Sequence, residues 1–282
     1  MLPGMRSRPP GLSRRTLLHR LALGAAALPL VTACGGDDAA AGPDASTAGD
    51  AGTSGDAPAG DSWASGGTAA MTDQASYPDP FTVAPVACAL VATTTLGPCT
   101  TATELVRRDV SEGWTGLPVR LALKVVDASC APLAGVTVRI WHTSIGGSYS
   151  GQTPSNGLCL EQASYATMDF FRGAQVTDAR GVVAFDTCFP GWYPGRAIHI
   201  HVQILTNGAS TRVSQLFFPE DVTTAIFTMH PDYAAFGQPD TSFASDGVVR
   251  AIPIASRAPL VLDIARMTDG AMLASKVVTV TG

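Results

Sequence analysis

Short runs in which apolar and polar residues alternate at every second position set the strongest limit on how this chain can fold. In 119–126, Val119, Leu121, Leu123 and Val125 alternate with Arg120, Ala122 and Lys124, a period that puts one set on each face of a strand. Val136, Val138 and Ile140 alternate with Thr137, Arg139 and Trp141 in the same way. Further strands are predicted over 173–177, 182–187, 198–205, 214–218, 259–265 and 276–281. Asp178-Ala179-Arg180-Gly181 reads as a hairpin turn between 173–177 and 182–187. A short helix is predicted over 221–228 behind an Asp cap, and no long amphipathic helix competes with the strands. Short strands at this spacing predict an all-β fold, an antiparallel sandwich. Hydrophobic residues make up 46% of the chain and charged residues 15%, enough apolar surface to bury a sizeable core and too much for wholesale disorder.

The start of the chain obeys other rules. Residues 1–33 hold five arginines and no acid. Ser13-Arg14-Arg15-Thr16-Leu17-Leu18 is a twin-arginine export pattern, and the apolar run 21–31 is shorter than the roughly 20 residues a membrane span needs. Val31-Thr32-Ala33-Cys34 then has the small-residue spacing of a lipobox, in which Cys34 becomes the lipidated first residue; an ordinary cleavage site beside a chance cysteine is the other reading. From 35 to 70 there is no Lys or Arg and one aromatic, Trp63, a composition that buries too little apolar surface to offset chain entropy. The organisation expected is a signal peptide over 1–33, a flexible tether over 34–76 and one folded domain over 77–282. The protein is expected to leave by the twin-arginine route and to stay lipid-anchored at the cell envelope. That route carries proteins already folded, which hints at a metal loaded beforehand. Residues 71–282 carry 13 Lys and Arg against 17 Asp and Glu, so nothing in the domain attracts a phosphate backbone and nucleic acid is not expected as a partner.

Chemistry concentrates between Tyr149 and Gln215. His199-Ile200-His201 falls inside a predicted strand, where residues two apart share a face, so both imidazoles can reach one point while Ile198, Ile200, Val202 and Ile204 face the core. Six residues before His199, Tyr193 sits in Phe189-Pro190-Gly191-Trp192-Tyr193-Pro194-Gly195-Arg196, whose Gly and Pro force a turn. A second tyrosine, Tyr149, lies in Gly146-Gly147-Ser148-Tyr149-Ser150-Gly151. As phenolate, tyrosine is a hard anionic donor suited to a hard, highly charged ion, so two tyrosines with two histidines point to Fe(III).

These motifs resemble the intradiol ring-cleavage dioxygenases, the family of catechol and protocatechuate dioxygenases. The resemblance runs through Pro132-Leu133-Ala134-Gly135, the strand ending at Trp141, Tyr149-Ser150-Gly151, Phe171-Arg172-Gly173-Ala174-Gln175-Val176-Thr177-Asp178, the turn through Arg196, His199-Ile200-His201 and Gln215-Leu216-Phe217-Phe218, roughly residues 115–250. It implies a sandwich with an iron site near the junction of its two sheets, and ligands at Tyr149, Tyr193, His199 and His201. Tyr193 would leave the metal as a catechol arrives and accept a substrate proton. Arg196 would steady negative charge on the ring, and Gln215 would line the same pocket. The implied reaction uses O₂ to open a catechol-type ring between its two hydroxyl-bearing carbons, giving a muconate-type diacid. The connection between Tyr193 and His199 is shorter than in the catechol and protocatechuate enzymes, and Cys99 replaces a common aromatic in Gly97-Pro98-Cys99, so the pocket rim and the choice of catechol stay open. Two rivals fit the same sequence. One is a lipid-anchored sandwich that binds without chemistry; the other is a cupin-type metalloenzyme, which the absence of Glu from 202–210 disfavours.

Arg172 is expected to anchor structure by pairing with an acid, His142 to be structural and His230 to lie in a loop. Five cysteines follow Cys34. In an oxidising compartment they predict two disulfides and one thiol: Cys159 with Cys188, and one bridge shared among Cys88, Cys99 and Cys130.

Overall fold

The computed structural model describes residues 62–83, 88–101, 105–153 and 156–280. The export signal, Cys34 and the tether as far as residue 61 lie outside the described residues. Among these, eight strands form two four-stranded sheets. They are β1 (Pro118–Val126), β2 (Thr137–Trp141), β3 (Arg172–Val176), β4 (Val182–Cys188), β5 (His199–Thr206), β6 (Ala209–Phe217), β7 (Asp263–Arg266) and β8 (Met272–Thr279). Sheet order is β4-β1-β8-β7 in one and β3-β2-β5-β6 in the other. The all-β sandwich expected from the alternation is present, with one amendment: β1 and β8 run parallel while every other pair is antiparallel.

The period-two pattern sorts side chains between the sheets. Val119, Leu121, Leu123 and Val125 share one core with Val138, Ile140, Ile200 and Val202. Each such side chain contributes roughly 1.5–3 kcal/mol by leaving water. The intervening residues of β1 are buried too: Arg120 is 7% exposed and Ala122 5%. Their cover comes from residues 62–81. Met71, Tyr77 and Phe81 pack with Ala122 and Leu273, Ala64 N–H donates to Gly270 O at 2.8 Å, and Arg120 Nη2 donates to Gln74 Oε1 at 2.7 Å. The segment 62–76, which reads as tether by composition, is therefore packed against the sheet. The charge on Arg120 is met inside by Asp186 and faces the Tyr77 ring, 5.0 Å from its centroid.

Other expectations change in detail. Asp178–Gly181 is not a hairpin turn, because β3 and β4 belong to different sheets; it is a corner between layers. Asp178 Oδ1 accepts from Arg180 N and Val182 N at 2.9 and 2.8 Å, and Gly181 has φ 75°. A Cβ at Gly181 would stand 2.5 Å from Val125 O. β6 begins at Ala209 rather than 214, joined to β5 through Asn207 and Gly208 with φ 50° and 77°, the signature of a two-residue hairpin loop. Residues 258–260 form a 3₁₀ turn, so β7 is shorter than predicted, and β8 starts at Met272. The helix Glu220–Met229 is capped by Pro219, without a side-chain cap. Asp221 instead lies in its first turn, where a negative charge favours the helix dipole.

The disulfides are Cys88–Cys130 and Cys99–Cys159, and Cys188 is a buried free thiol. The expected Cys159–Cys188 bridge does not exist. Cys188 is packed with Phe170 and Phe171, whereas Cys159 sits in a separate cluster with Cys99, Trp141 and Tyr149. Burial pushes the Cys188 thiol up to about 12.

Candidate metal centre

Alternation along β5 turns Ile200 and Val202 into the inter-sheet core and leaves His199 and His201 on the opposite face. Register then sets their neighbours: Trp141 of β2 lies beside His201 on one side and Gln215 of β6 on the other. The Trp141 and His201 rings stack with centroids 4.7 Å apart and planes 9° apart. The tyrosines arrive on two loops, one following β2 and the other crossing from β4 in one sheet to β5 in the other. Glycines let these loops touch. A Cβ at Gly147 would stand 2.1 Å from Trp192 O, and one at Gly191 would stand 2.1 Å from Ile145 O. Gly191 N–H donates to Ser144 O at 3.0 Å, and Thr143 Oγ1 donates to Gly191 O at 2.6 Å.

All four sequence-predicted ligands converge. Tyr149 Oη lies 3.4 Å from Tyr193 Oη and 3.4 Å from His199 Nε2; Tyr193 Oη lies 3.5 Å from His199 Nε2; the two Nε2 atoms lie 3.2 Å apart. Atoms each about 2.1 Å from one first-row ion stand roughly 3.0–3.6 Å from one another, so the spacing fits a single ion. Among the described residues no three His, Cys, Asp or Glu gather around one point, so the tyrosines are what complete this set. His199 Nδ1 donates to Ala197 O at 2.7 Å, which leaves the Nε2 lone pair aimed at the centre. His201 Nδ1 is buried without a hydrogen-bond partner among the described residues.

Burial decides the protonation of the set. It pushes the Tyr149 phenol well above its usual range and raises that of Tyr193, with the Arg196 charge pulling Tyr193 the other way. Burial, then the Arg196 charge, lowers His199 to about 3. Burial, then His199, takes His201 well below the ordinary histidine value. Neutral imidazoles are the form that ligates a metal, and phenols this hard to ionise need a strongly charged cation to give up their protons. The donor set thus fits Fe(III), the ion expected from the sequence.

Arg196 and Gln215 belong to the same site. Arg196 Nη1 points to Tyr193 Oη at 3.4 Å, and Nη2 donates to Gln215 Oε1. Three residues that sequence reasoning did not single out support them. Asp246 holds Arg196 Nε at 2.8 Å, Thr95 O accepts from Gln215 Nε2 at 3.4 Å, and Trp141 backs His201. Asp246 stands fifty residues from its partner, and only its position ahead of the turn Gly247–Arg250 could have drawn notice as a helix cap. Arg172 is structural as expected, but its partners are carbonyls: Ser150 O at 2.8 Å and Cys99 O at 2.6 Å. His142 is buried between Thr143 O and Thr187 Oγ1, at 2.8 and 2.7 Å. His230 caps the helix Glu220–Met229 and is held by Ala64 O at 2.9 Å.

A family model described as Dioxygenase matches residues 96–230, a span that contains every predicted site residue. An intradiol ring-cleavage dioxygenase from Tetranychus urticae is similar in structure, with 27% identity and a TM-score of 0.60, over 69% of this chain and 95% of that one. The dioxygenase domain of a dioxygenase–carbohydrate-binding fusion from Streptomyces sp. SirexAA-E shares the fold at 23% identity and a TM-score of 0.50, over 68% and 98% of the two chains. No curated protein sequence matches the chain. Fold and matched segment define a β-sandwich dioxygenase. Within that class, the matched segment and the fold are those of the intradiol ring-cleavage dioxygenases, which are oxidoreductases.

Proposed function

We propose that this protein is a non-haem Fe(III) enzyme that uses O₂ to cleave a catechol-type ring between its two hydroxyl-bearing carbons, releasing a muconate-type diacid. The observation that carries the reading is the convergence of two phenol oxygens and two imidazole nitrogens, at separations of 3.2–3.5 Å. Tyr149, Tyr193, His199 and His201 would hold the iron, which when bound supplies a Lewis acid that acidifies both catechol hydroxyls and draws electron density from the ring. Tyr193, the less enclosed phenol and the one beside Arg196, gives way to substrate and takes up a hydroxyl proton at Oη. The Arg196 guanidinium stabilises negative charge that builds on the ring. Gln215 holds one arm of that guanidinium in place. The protein loaded with iron is expected to be red to purple, and to turn a member of a catechol panel into a diacid with uptake of one O₂. Tyr193→Phe is expected to lose most of the colour and activity. A colourless, iron-free, well-folded protein would favour the rival binding module.

The same proposal includes export and a lipid anchor at Cys34. Two disulfides in the domain agree with an oxidising compartment. In a host with both pathways, the full chain should fractionate with membranes and Cys34→Ala should appear in the soluble envelope fraction. Equal partitioning of the two would remove the anchor from the reading.

A further inference from the structure

The Asp246 carboxylate has no exposed surface and lies sixteen residues beyond the segment matched by the family model. Four donors meet on its two oxygens. Oδ2 accepts from Arg196 Nε at 2.8 Å and from Ala197 N at 2.9 Å. Oδ1 accepts from Val248 N at 2.8 Å and Val249 N at 3.2 Å, the first N–H groups of the turn Gly247–Arg250. A carboxylate so fully occupied has one orientation, and its nearest ionic partner inherits it.

That partner is Arg196. With Nε fixed, the planar guanidinium can direct its other nitrogens only in one way: Nη1 to Tyr193 Oη, Nη2 to Gln215 Oε1. Gln215 is itself tied to Thr95 O. The Ala197 peptide carries a second line of support, since its N–H is held by Asp246 and its carbonyl holds His199 Nδ1. One buried acid therefore stands behind both the arginine and the orientation of one imidazole.

We propose that Asp246 is a positioning residue for ring cleavage: by clamping Arg196 Nε it presets the guanidinium against the Tyr193 phenol and the Gln215 amide before substrate enters. This rests on the catalytic reading given above. A preset charge costs no reorganisation when negative charge develops on the ring, whereas a guanidinium free to turn would spend part of its time facing water. Supporting residues one step behind a metal centre commonly carry 10–100-fold in activity, and that is the size expected for Asp246.

Two measurements on the full chain test the clamp. In metal-free protein labelled with ¹⁵N, Arg196 Nε–H should give a downfield, exchange-protected resonance, identified by its absence in Arg196→Lys. Asp246→Asn should shift it upfield and speed its exchange. A resonance unchanged in Asp246→Asn would overturn the clamp, whatever the enzyme's activity. In iron-loaded protein a double-mutant cycle follows. Asp246→Asn alone should lower kcat about 10–100-fold with KM changed less than about threefold, yet lower it less than about threefold in the Arg196→Lys background. Equal losses in both backgrounds would mean a purely structural role and refute the proposal. Wild-type protein that bound iron but cleaved no catechol would sink the catalytic reading, and the resonance would still decide the clamp.

Discussion

At the level of single residues, the groups that touch the centre were readable and those that support them were not. His199 and His201 are marked by spacing, His-X-His being two side chains on one strand face, whereas the roles of Tyr149, Tyr193, Arg196 and Gln215 came from the resemblance of their motifs to a known family. Asp246 carries no such mark, because its partner is fifty residues away and the contact exists only after folding. His142 shows a second limit: its neighbourhood marked it as structural, but nothing in the sequence gave its titration. Burial lowers His142 from 6.5 to about 4, while both ring nitrogens are bonded to Thr143 O and Thr187 Oγ1. The unfolded chain then binds a proton that the folded one refuses. Stability is complete above about pH 6.5 and drains away as pH falls toward about 4. Between pH 7.5 and 4.5 this group alone should remove about 2–3 kcal/mol. Urea unfolding of wild type and His142→Gln at both pH values checks it, since contributions from His199 and His201 cancel in the difference. Parallel losses in the two proteins would mean His142 is not the source.

Elements were readable through period two, but not their assignment to layers. Five of the eight strands fell within one residue of their predicted ends, because alternating burial shapes the sequence directly. Sheet membership is a tertiary fact, and so the turn at 178–181, with every local mark of a hairpin, proved to be a corner between sheets. Cysteine pairing failed for a related reason: an odd count fixes how many bridges form, but only the fold puts Cys159 beside Cys99 and Cys188 among Phe170 and Phe171. The two tyrosine loops add a contact that neither loop's sequence reveals. Gly191 approaches Ile145 O so closely that a methyl group there would stand 2.1 Å away, with Ser144 O at 2.5 Å. Backbone on both sides cannot yield cheaply. Gly191→Ala is expected to cost at least about 2 kcal/mol in unfolding free energy and to lower bound iron by spreading Tyr149 from Tyr193. Gly157→Ala, where a Cβ meets nothing within 4 Å, is the control and should keep its iron. Equal iron in both variants would show that the loop contact does not set the tyrosine spacing.

The whole molecule depends on a segment whose composition conceals it. Residues 62–76 are poor in large apolar side chains and continue the Gly/Ala/Ser/Thr/Asp bias of the tract before them, so composition draws the domain boundary after them. A few well-placed groups override that bias. Met71 is 5% exposed within a cluster that includes Ala122, Ala271 and Leu273. Gln74 Oε1 takes one arm of the buried Arg120, Gly67 N–H donates to Gly116 O at 2.8 Å, and a Cβ at Gly67 would strike Trp114 O at 2.2 Å. Without this cover the outer face of β1 would meet water, and Arg120 would keep Asp186 but lose Gln74. Recovering the Met71 burial and the Gln74 bond alone accounts for about 3 kcal/mol. A chain beginning at Ser62 should therefore match the full chain in thermal stability, while one beginning at Tyr77 should melt roughly 6–12 °C lower, at about 2–4 °C per kcal/mol for a domain of this size. Since the covered face belongs to β1 and the centre is built on β5 in the other sheet, the shorter chain should still bind iron below its melting point. Identical melting temperatures for the two chains would return residues 62–76 to the tether, and loss of iron in the cold would mean that the cover reaches the centre through the core.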